Sequence, residues 1–249
     1  MHICITRSKK NAYSETFIRN QIQGLSNLAK IYPIHSGRYP ERNGDDELLS
    51  PKVFWILHKV LKPIVGRNNY FSDFGLKQFL KSNKIDVVIA NYGMSAAHMV
   101  NPCKALKIPL VAIFHGHDSS DIKLLKKYKT RYTKLFQYAS FVVLVSNEMK
   151  ERIVAQGANP NKIKVIPCGV DTSTFYPSTE QNKRQNLLAV GRFTPKKGPI
   201  YTLEAFHKIL SHFPNAKLTM VGQRSGLYDM CIEKIEQLNI KNSVEFSGV

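Results

Sequence analysis

The chain has 249 residues, 43% of them hydrophobic and 22% charged. That excludes a disordered polymer and allows one large domain or two modest ones. Its 36 Lys and Arg against 18 Asp and Glu leave a net charge of +18, which calls for an anionic partner or surface.

The predicted elements begin at once. Residues 1–6 read as a strand, followed by a polar loop over 7–13. Ser14, Glu15 and Thr16 then lead into Phe17, Ile18, Ile22, Leu25 and Leu28, which recur at helical spacing. Ser14 is placed to cap that helix, a role that needs no ligand. Residues 30–35 read as a second strand, and 37–50 are rich in turn formers. Over 51–64, Val53, Leu57, Val60, Leu61 and Ile64 share a helical face, with Lys52, Lys59, Lys62 and Arg67 around it. Such a stripe fits a core-facing helix. Phe54 and Trp55 widen it, so an interfacial helix on anionic lipid stands beside that reading.

Residues 84–91 (KIDVVIAN) read as a buried strand, Tyr92 and Gly93 as the turn after it, 96–106 as a helix and 109–114 as the next strand. Strands alternating with helices predict a parallel sheet covered on both faces, whose ligands gather at the carboxyl ends of the strands. Three tips qualify, at 8–14, at 91–95 (which includes Asn91 and Gly93) and at 115–119. The third, His115-Gly116-His117-Asp118, can present an imidazole or its own backbone to a substrate. No carboxylate cluster supports a metal there. Over 123–134 come six basic residues and no acid, with Tyr128, Tyr132 and Phe136 interleaved at packing distance. This helix fits a solvated face, a nucleic-acid patch or a lipid-headgroup contact. A strand at 141–146, a helix at 148–156 and an extended stretch at 162–167 complete the first part.

Residues 187–190 read as a short buried strand, after which Gly191 makes a turn flanked by Arg192 and Lys197 before a helix from Pro199. A strand, a glycine turn and a helix N-terminus make an anion site, and two cations beside it suit a diphosphate. The pattern repeats with strand 217–221 ending at Gly222, helix 227–238 and strand 243–247. Residues 1–170 hold 26 basic and 11 acidic residues, and 171–249 hold 10 and 7, so the charge excess lies outside this phosphate-like site. Each part therefore expects its own anionic partner. Cys4, Cys103, Cys168 and Cys231 are scattered and read as buried thiols of a reducing compartment. No apolar signal core opens the sequence and no stretch reaches membrane-spanning length, so a cytoplasmic location is expected.

Several of these motifs carry a resemblance. GRFTPKKG before an apolar helix resembles the donor-diphosphate motif of the retaining GT-B glycosyltransferases of family 4, matching at Arg192 and Lys197. SETFI after the first strand, FHGHD, and IPCGVDTSTFYP as an interdomain connection are similar to the same family, of the kind that builds bacterial surface polysaccharide and lipopolysaccharide. The resemblance implies an α/β fold of two Rossmann-like, doubly wound parallel-sheet domains, the second incomplete. Domain limits follow at 1–170 (acceptor side), 171–185 (linker) and 186–249 (first half of the nucleotide-sugar domain).

It further implies transfer of a sugar, with retention, from a nucleotide diphospho-sugar to a lipid-linked or polysaccharide acceptor. His115, Arg192 and Lys197 would be catalytic. Ser14, Glu15, Asn91, Gly93, Asp118, Gly191 and Gly222 would bind substrate. No metal or other cofactor is implied, since side chains meet the leaving-group charge. The basic first domain would sit peripherally on anionic membrane at the inner face of the cell membrane, and no specific nucleic acid is expected. The family's downstream glutamate pair has no counterpart in these residues. A catalytically incomplete module that binds membrane or nucleic acid through its basic face is the alternative, and a GT-B sugar-nucleotide epimerase fits less well.

Overall fold

The computed structural model describes residues 1–10, 15–51, 53, 54, 56, 60, 70–177 and 186–248. The chain forms two compact units, Met1–Phe175 and Tyr176–Val249.

Seven strands make the sheet of the first unit: β1 (His2–Thr6), β2 (Lys30–His35), β3 (Arg42–Asn43), β4 (Val87–Asn91), β5 (Leu110–Phe114), β6 (Phe141–Leu144) and β7 (Ile163–Val165). They lie in the order β3-β2-β1-β4-β5-β6-β7. All pairs are parallel except β2 with the short edge strand β3. Among the described residues the helices with full bounds are α1 (Thr16–Ser26), α2 (Tyr70–Ser82), α3 (Gly93–Leu106), α4 (His117–Ser120), α5 (Ile122–Tyr138) and α6 (Lys150–Ala155).

Alternation along β1 divides the core. Ile3 and Ile5 pack with Ile18 of α1 on one face, while Cys4 joins Leu76, Leu80, Val88, Ala90 and Met99 on the other. The chain runs outward from β1 to β3, then returns to the far side of β1 at β4. β1 and β4 therefore flank a topological switch point, where loops diverge and leave a crevice at the carboxyl ends.

In the second unit, β8 (Asn186–Val190), β9 (Lys217–Val221) and β10 (Val244–Ser247) form a parallel sheet in the order β10-β9-β8. Helices α7 (Pro199–Leu210) and α8 (Tyr228–Gln237) connect them. Two crossovers of one hand, stepping the same way, place both helices on one face. Phe193, Leu203, Phe206, Leu218, Met220, Cys231 and Ile235 form the core there. The expectation of a buried strand at 187–190 is corrected by this geometry. Leu188 and Val190 point to the other face and are 68% and 73% exposed.

Three further expectations change. The cap position of α1 falls to Glu15, whose side chain makes no cap bond, and Ser14 itself lies outside the described residues. Cys168 is exposed, whereas Cys4, Cys103 and Cys231 are buried free thiols. Of the stripe over 51–64, Val53 and Val60 are exposed rather than core-facing, and Phe54 meets the Phe74 ring edge-on at 5.1 Å. Trp55, Leu57, Leu61 and Ile64, with the basic residues Lys52, Lys59, Lys62 and Arg67, lie outside the described residues. Tyr128, Tyr132 and Phe136 are buried in the core, so the basic helix α5 uses its aromatic residues for packing.

Candidate functional site

The switch point of the first unit gathers Arg7 and Ser8 after β1, Glu15 at the entry to α1, Asn91 to Gly93 after β4, and His115 to Asp118 after β5. Asn91 is 1% exposed and fully engaged. Its Nδ2 donates to the Thr6 carbonyl (3.1 Å) and to Gln21 Oε1 (2.9 Å), so its Oδ1 is left facing His115 Nε2 at 2.9 Å. An amide oxygen only accepts, so this network assigns the proton of His115 to Nε2 and the lone pair to Nδ1. Burial lowers the His115 pKa to about 4, which keeps the ring neutral near pH 7. His115 is thus built to orient and accept, not to supply positive charge.

Asp118 organises the loop that carries this histidine. It is completely buried; Oδ2 accepts from Gly93 N at 2.7 Å and Oδ1 from His115 N at 2.9 Å. The carboxylate thereby caps the N-terminus of α3 and ties it to the tip of β5. Its own contribution to a ligand runs through the loop it shapes. Gly93 is required by space, because a Cβ there would sit 2.3 Å from the Phe114 ring and 2.8 Å from the Tyr132 hydroxyl. His117 turns elsewhere, with Nδ1 3.8 Å from Asp121, so the two histidines do not converge. Among the described residues no group of three or more His, Cys, Asp or Glu side chains is placed to hold a metal.

Four residues that the sequence analysis did not name as site residues complete this tip. Tyr92 adopts φ 68° and ψ 127°, donates its hydroxyl to Glu15 Oε1 at 2.9 Å, and places its ring 5.0 Å from that of His115. The Phe17 ring lies 4.5 Å from His115 on a second side. Ser8 also donates to Glu15 Oε1. Arg7 Nε and Glu15 Oε2 are buried without a hydrogen-bond partner among the described residues.

In the second unit, Gly191 N donates to the Val221 carbonyl at 2.9 Å and Gly222 N to the Ser247 carbonyl at 3.2 Å, which closes the ends of the three strands together. A Cβ on Gly222 would lie 2.2 Å from the Gly191 carbonyl oxygen, so Gly222 lets the two turns touch. The Lys197 side chain lies over Gly191, its Cγ and Cδ 3.8 Å from where a Cβ would stand. Phe193 anchors the loop in the core, ringed by Tyr228 and Phe246. Gly198, at φ 62°, and Pro199 then open α7, whose first turn has no acidic residue and no side-chain cap. Arg192, Lys196 and Lys197 are all exposed, and among the described residues none forms an ion pair. Cations at a helix N-terminus oppose the macrodipole. An anion at this turn would reconcile the two.

The chain is similar to known glycosyltransferases in sequence and in fold. The profile of Glycosyltransferase Family 4 matches residues 15–174, and that of Glycosyl transferases group 1 matches 172–249. The amylovoran biosynthesis glycosyltransferase AmsK of Erwinia amylovora is 26% identical over 198 residues, which cover 73% of this chain and 48% of AmsK. An Escherichia coli UDP-Gal:alpha-D-GlcNAc-diphosphoundecaprenol alpha-1,3-galactosyltransferase is 26% identical over 194 residues, covering 70% of this chain and 49% of that enzyme. The chain thus spans about half the length of the curated relatives it matches. Among solved structures, Anabaena HepE in complex with UDP and glucose superposes over 100% of this chain and 69% of its own, with a TM-score of 0.72 at 16% identity. Two Rossmann-like units of the GT-B kind, with the family profile over most of the sequence, place this chain in Glycosyltransferase Family 4.

Proposed function

We propose that this chain serves a retaining glycosyltransferase that moves a sugar from a nucleotide diphospho-sugar to a lipid-linked or polysaccharide acceptor in cell-surface glycan biosynthesis. The observation that carries the reading is the second unit's turn: Arg192 and Lys197 around Gly191, at the unacidic N-terminus of α7. Charge grows on the diphosphate as the bond to the sugar breaks, so these cations would hold the transition state more tightly than the ground state. No metal enters this scheme. His115, neutral and fixed by Asn91, would accept a hydrogen bond from the sugar through Nδ1, while Asp118 and Gly93 hold its loop. Gly191 and Gly222 would let the nucleotide approach backbone.

The relatives support the acceptor assignment: one is named for a GlcNAc-diphosphoundecaprenol acceptor and another for amylovoran synthesis. Membrane contact at the inner leaflet rests on α5. Lys123, Lys126, Lys127, Lys129 and Lys134 are exposed on it, and Ile122 stands 68% exposed at its start.

The test is a transfer assay with UDP-, GDP- and ADP-sugars against a GlcNAc-diphospholipid acceptor, with the product's anomeric configuration read by NMR. Transfer with retention, abolished in Arg192→Ala, is expected. Inverted product would overturn the mechanism. Absence of transfer from every donor, in a chain that binds anionic vesicles, would favour the membrane-binding module instead.

A further inference from the structure

Two separate costs converge on one side chain at the switch point. The first is backbone strain. Tyr92 holds a positive φ of 68° with an extended ψ of 127°, a region that a bulky side chain avoids. Such residues persist where the surroundings over-determine them, and they concentrate at ligand sites. Here the surroundings are explicit: β4 fixes the residue before, and the Asp118 carboxylate holds the N–H of the residue after. The second cost is polar. Glu15, which receives the Tyr92 hydroxyl, and Arg7, which feels the Glu15 charge, each leave one buried polar atom unpaired. Unpaired buried groups are rare in native proteins and call for a reason.

The arrangement has the composition of a carbohydrate platform. The Phe17 and Tyr92 rings lie 4.5 Å and 5.0 Å from the His115 ring, and all three are partly exposed. Apolar ring faces suit the C–H faces of a pyranose, and polar atoms at their margin suit its hydroxyls. The Tyr92 hydroxyl donates its hydrogen bond to Glu15, so the phenol oxygen retains lone pairs for a donor from outside. Burial raises the phenol pKa, and the neighbouring Glu15 raises it further, so the proton stays in place.

We propose that Tyr92 is a specificity-determining residue of this site: its ring, with Phe17 and His115, forms the wall that holds a pyranose, and its hydroxyl accepts from a sugar hydroxyl. The proposal rests on the glycosyltransferase reading above and adds a residue to it. A pyranose could reach this wall as the donor's sugar or as the acceptor's, and hydrolysis of donor by water separates the two.

The experiment compares Tyr92→Phe and Tyr92→Gly with the parent chain. Phenylalanine keeps the ring and removes the hydroxyl. Glycine tolerates the backbone angle and removes the ring, so that variant is expected to stay folded. Donor hydrolysis and transfer to the GlcNAc-diphospholipid are measured, with melting temperature alongside. Tyr92→Phe is expected to lower kcat/KM for transfer about 10-fold or more, in keeping with loss of one ligand hydrogen bond, beside a modest fall in melting temperature from the lost bond to Glu15. A matching loss in hydrolysis assigns the donor sugar, and a loss in transfer alone assigns the acceptor. Wild-type kcat/KM in both assays, whatever the melting temperature, would overturn the proposal and make Tyr92 purely structural. Should the parent chain neither hydrolyse nor transfer, the enzymatic reading fails separately. Saturation-transfer NMR with the same nucleotide sugars and with methyl α-GlcNAc then decides the wall itself. Sugar-ring signals lost in Tyr92→Gly would uphold it, and signals absent from the parent chain or unchanged in Tyr92→Gly would refute it.

Discussion

At the scale of single residues, the turn at Lys197 sets stability against binding. Its charge sits at the start of α7 beside Lys196, where the helix dipole disfavours it. Lys197→Ala is therefore expected to stabilise the free chain by a few tenths to about 1 kcal/mol. The same change should weaken nucleotide binding, and equilibrium denaturation beside ligand titration reads both signs. Gly222 behaves oppositely. Alanine there drives a Cβ to 2.2 Å from the Gly191 carbonyl oxygen, and backbone meeting backbone cannot yield cheaply. A loss of about 2 kcal/mol or more, measured by urea unfolding, is expected for Gly222→Ala.

His115 makes a pH prediction whose sign follows from burial. Its folded pKa of about 4 lies below the unfolded value near 6.5, so the unfolded chain binds more protons between those limits. The contribution of the neutral ring to stability is complete above about pH 6.5 and is lost as pH falls toward 4. His98, also lowered to about 4 by burial and then by Arg131, adds a second loss over the same window. Replacing His115 with Gln should remove its share, making the fall in melting temperature between pH 6.5 and 4.5 shallower than in the parent chain. An unchanged slope would show that His115 titrates as it does in water.

At this scale the sequence exposed function unevenly. His115, Arg192 and Lys197 stood out through the family resemblance of their motifs, since charge or imidazole beside glycine at a strand end also has ordinary structural uses. Asn91 and Asp118 were legible as tip residues, but not the division of labour in which one sets a tautomer and the other caps a helix. That division depends on contacts 24 and 25 residues apart in sequence. Arg7 and Tyr92 escaped because their distinguishing properties, an unpaired buried nitrogen and a strained φ, exist only in the folded chain.

Among the elements, α5 shows how one helix serves two purposes. Leu124, Leu125, Tyr128, Tyr132, Leu135 and Phe136 bury one stripe, and Asp121 caps the start by accepting from Leu124 N at 2.9 Å. The lysines occupy the other face. Their burial pattern permits Lys123, Lys126 and Lys127 to be changed to Gln together without disturbing the core. Binding to vesicles containing phosphatidylglycerol is expected to fall about 10-fold or more in that variant, since each lysine near an anionic surface contributes about 1 kcal/mol. Raising the salt concentration should narrow the gap. Equal binding by both forms at low salt would remove α5 from the membrane account.

Elements were easier to read than their faces. Hydrophobic runs located β1, β4 and β5, because parallel strands in a covered sheet are apolar throughout. The same rule misled at β8, where both neighbouring helices lie on one side and the apolar side chains of Leu188 and Val190 remain exposed. Periodicity reports which residues are apolar; topology decides whether both faces are covered.

For the molecule as a whole, two units with separate cores each end in a ligand-like strand tip, and the larger carries most of the +18 charge. The account stands on the second tip being a diphosphate site. Isothermal titration of UDP, GDP and ADP into the chain and into Arg192→Ala tests that claim with no acceptor and no catalysis required. One of the three nucleotides is predicted to bind, with affinity falling at least 10-fold in the variant and declining with salt. Failure of the folded chain to bind any of them at millimolar concentration, or equal affinity in Arg192→Ala, would contradict it.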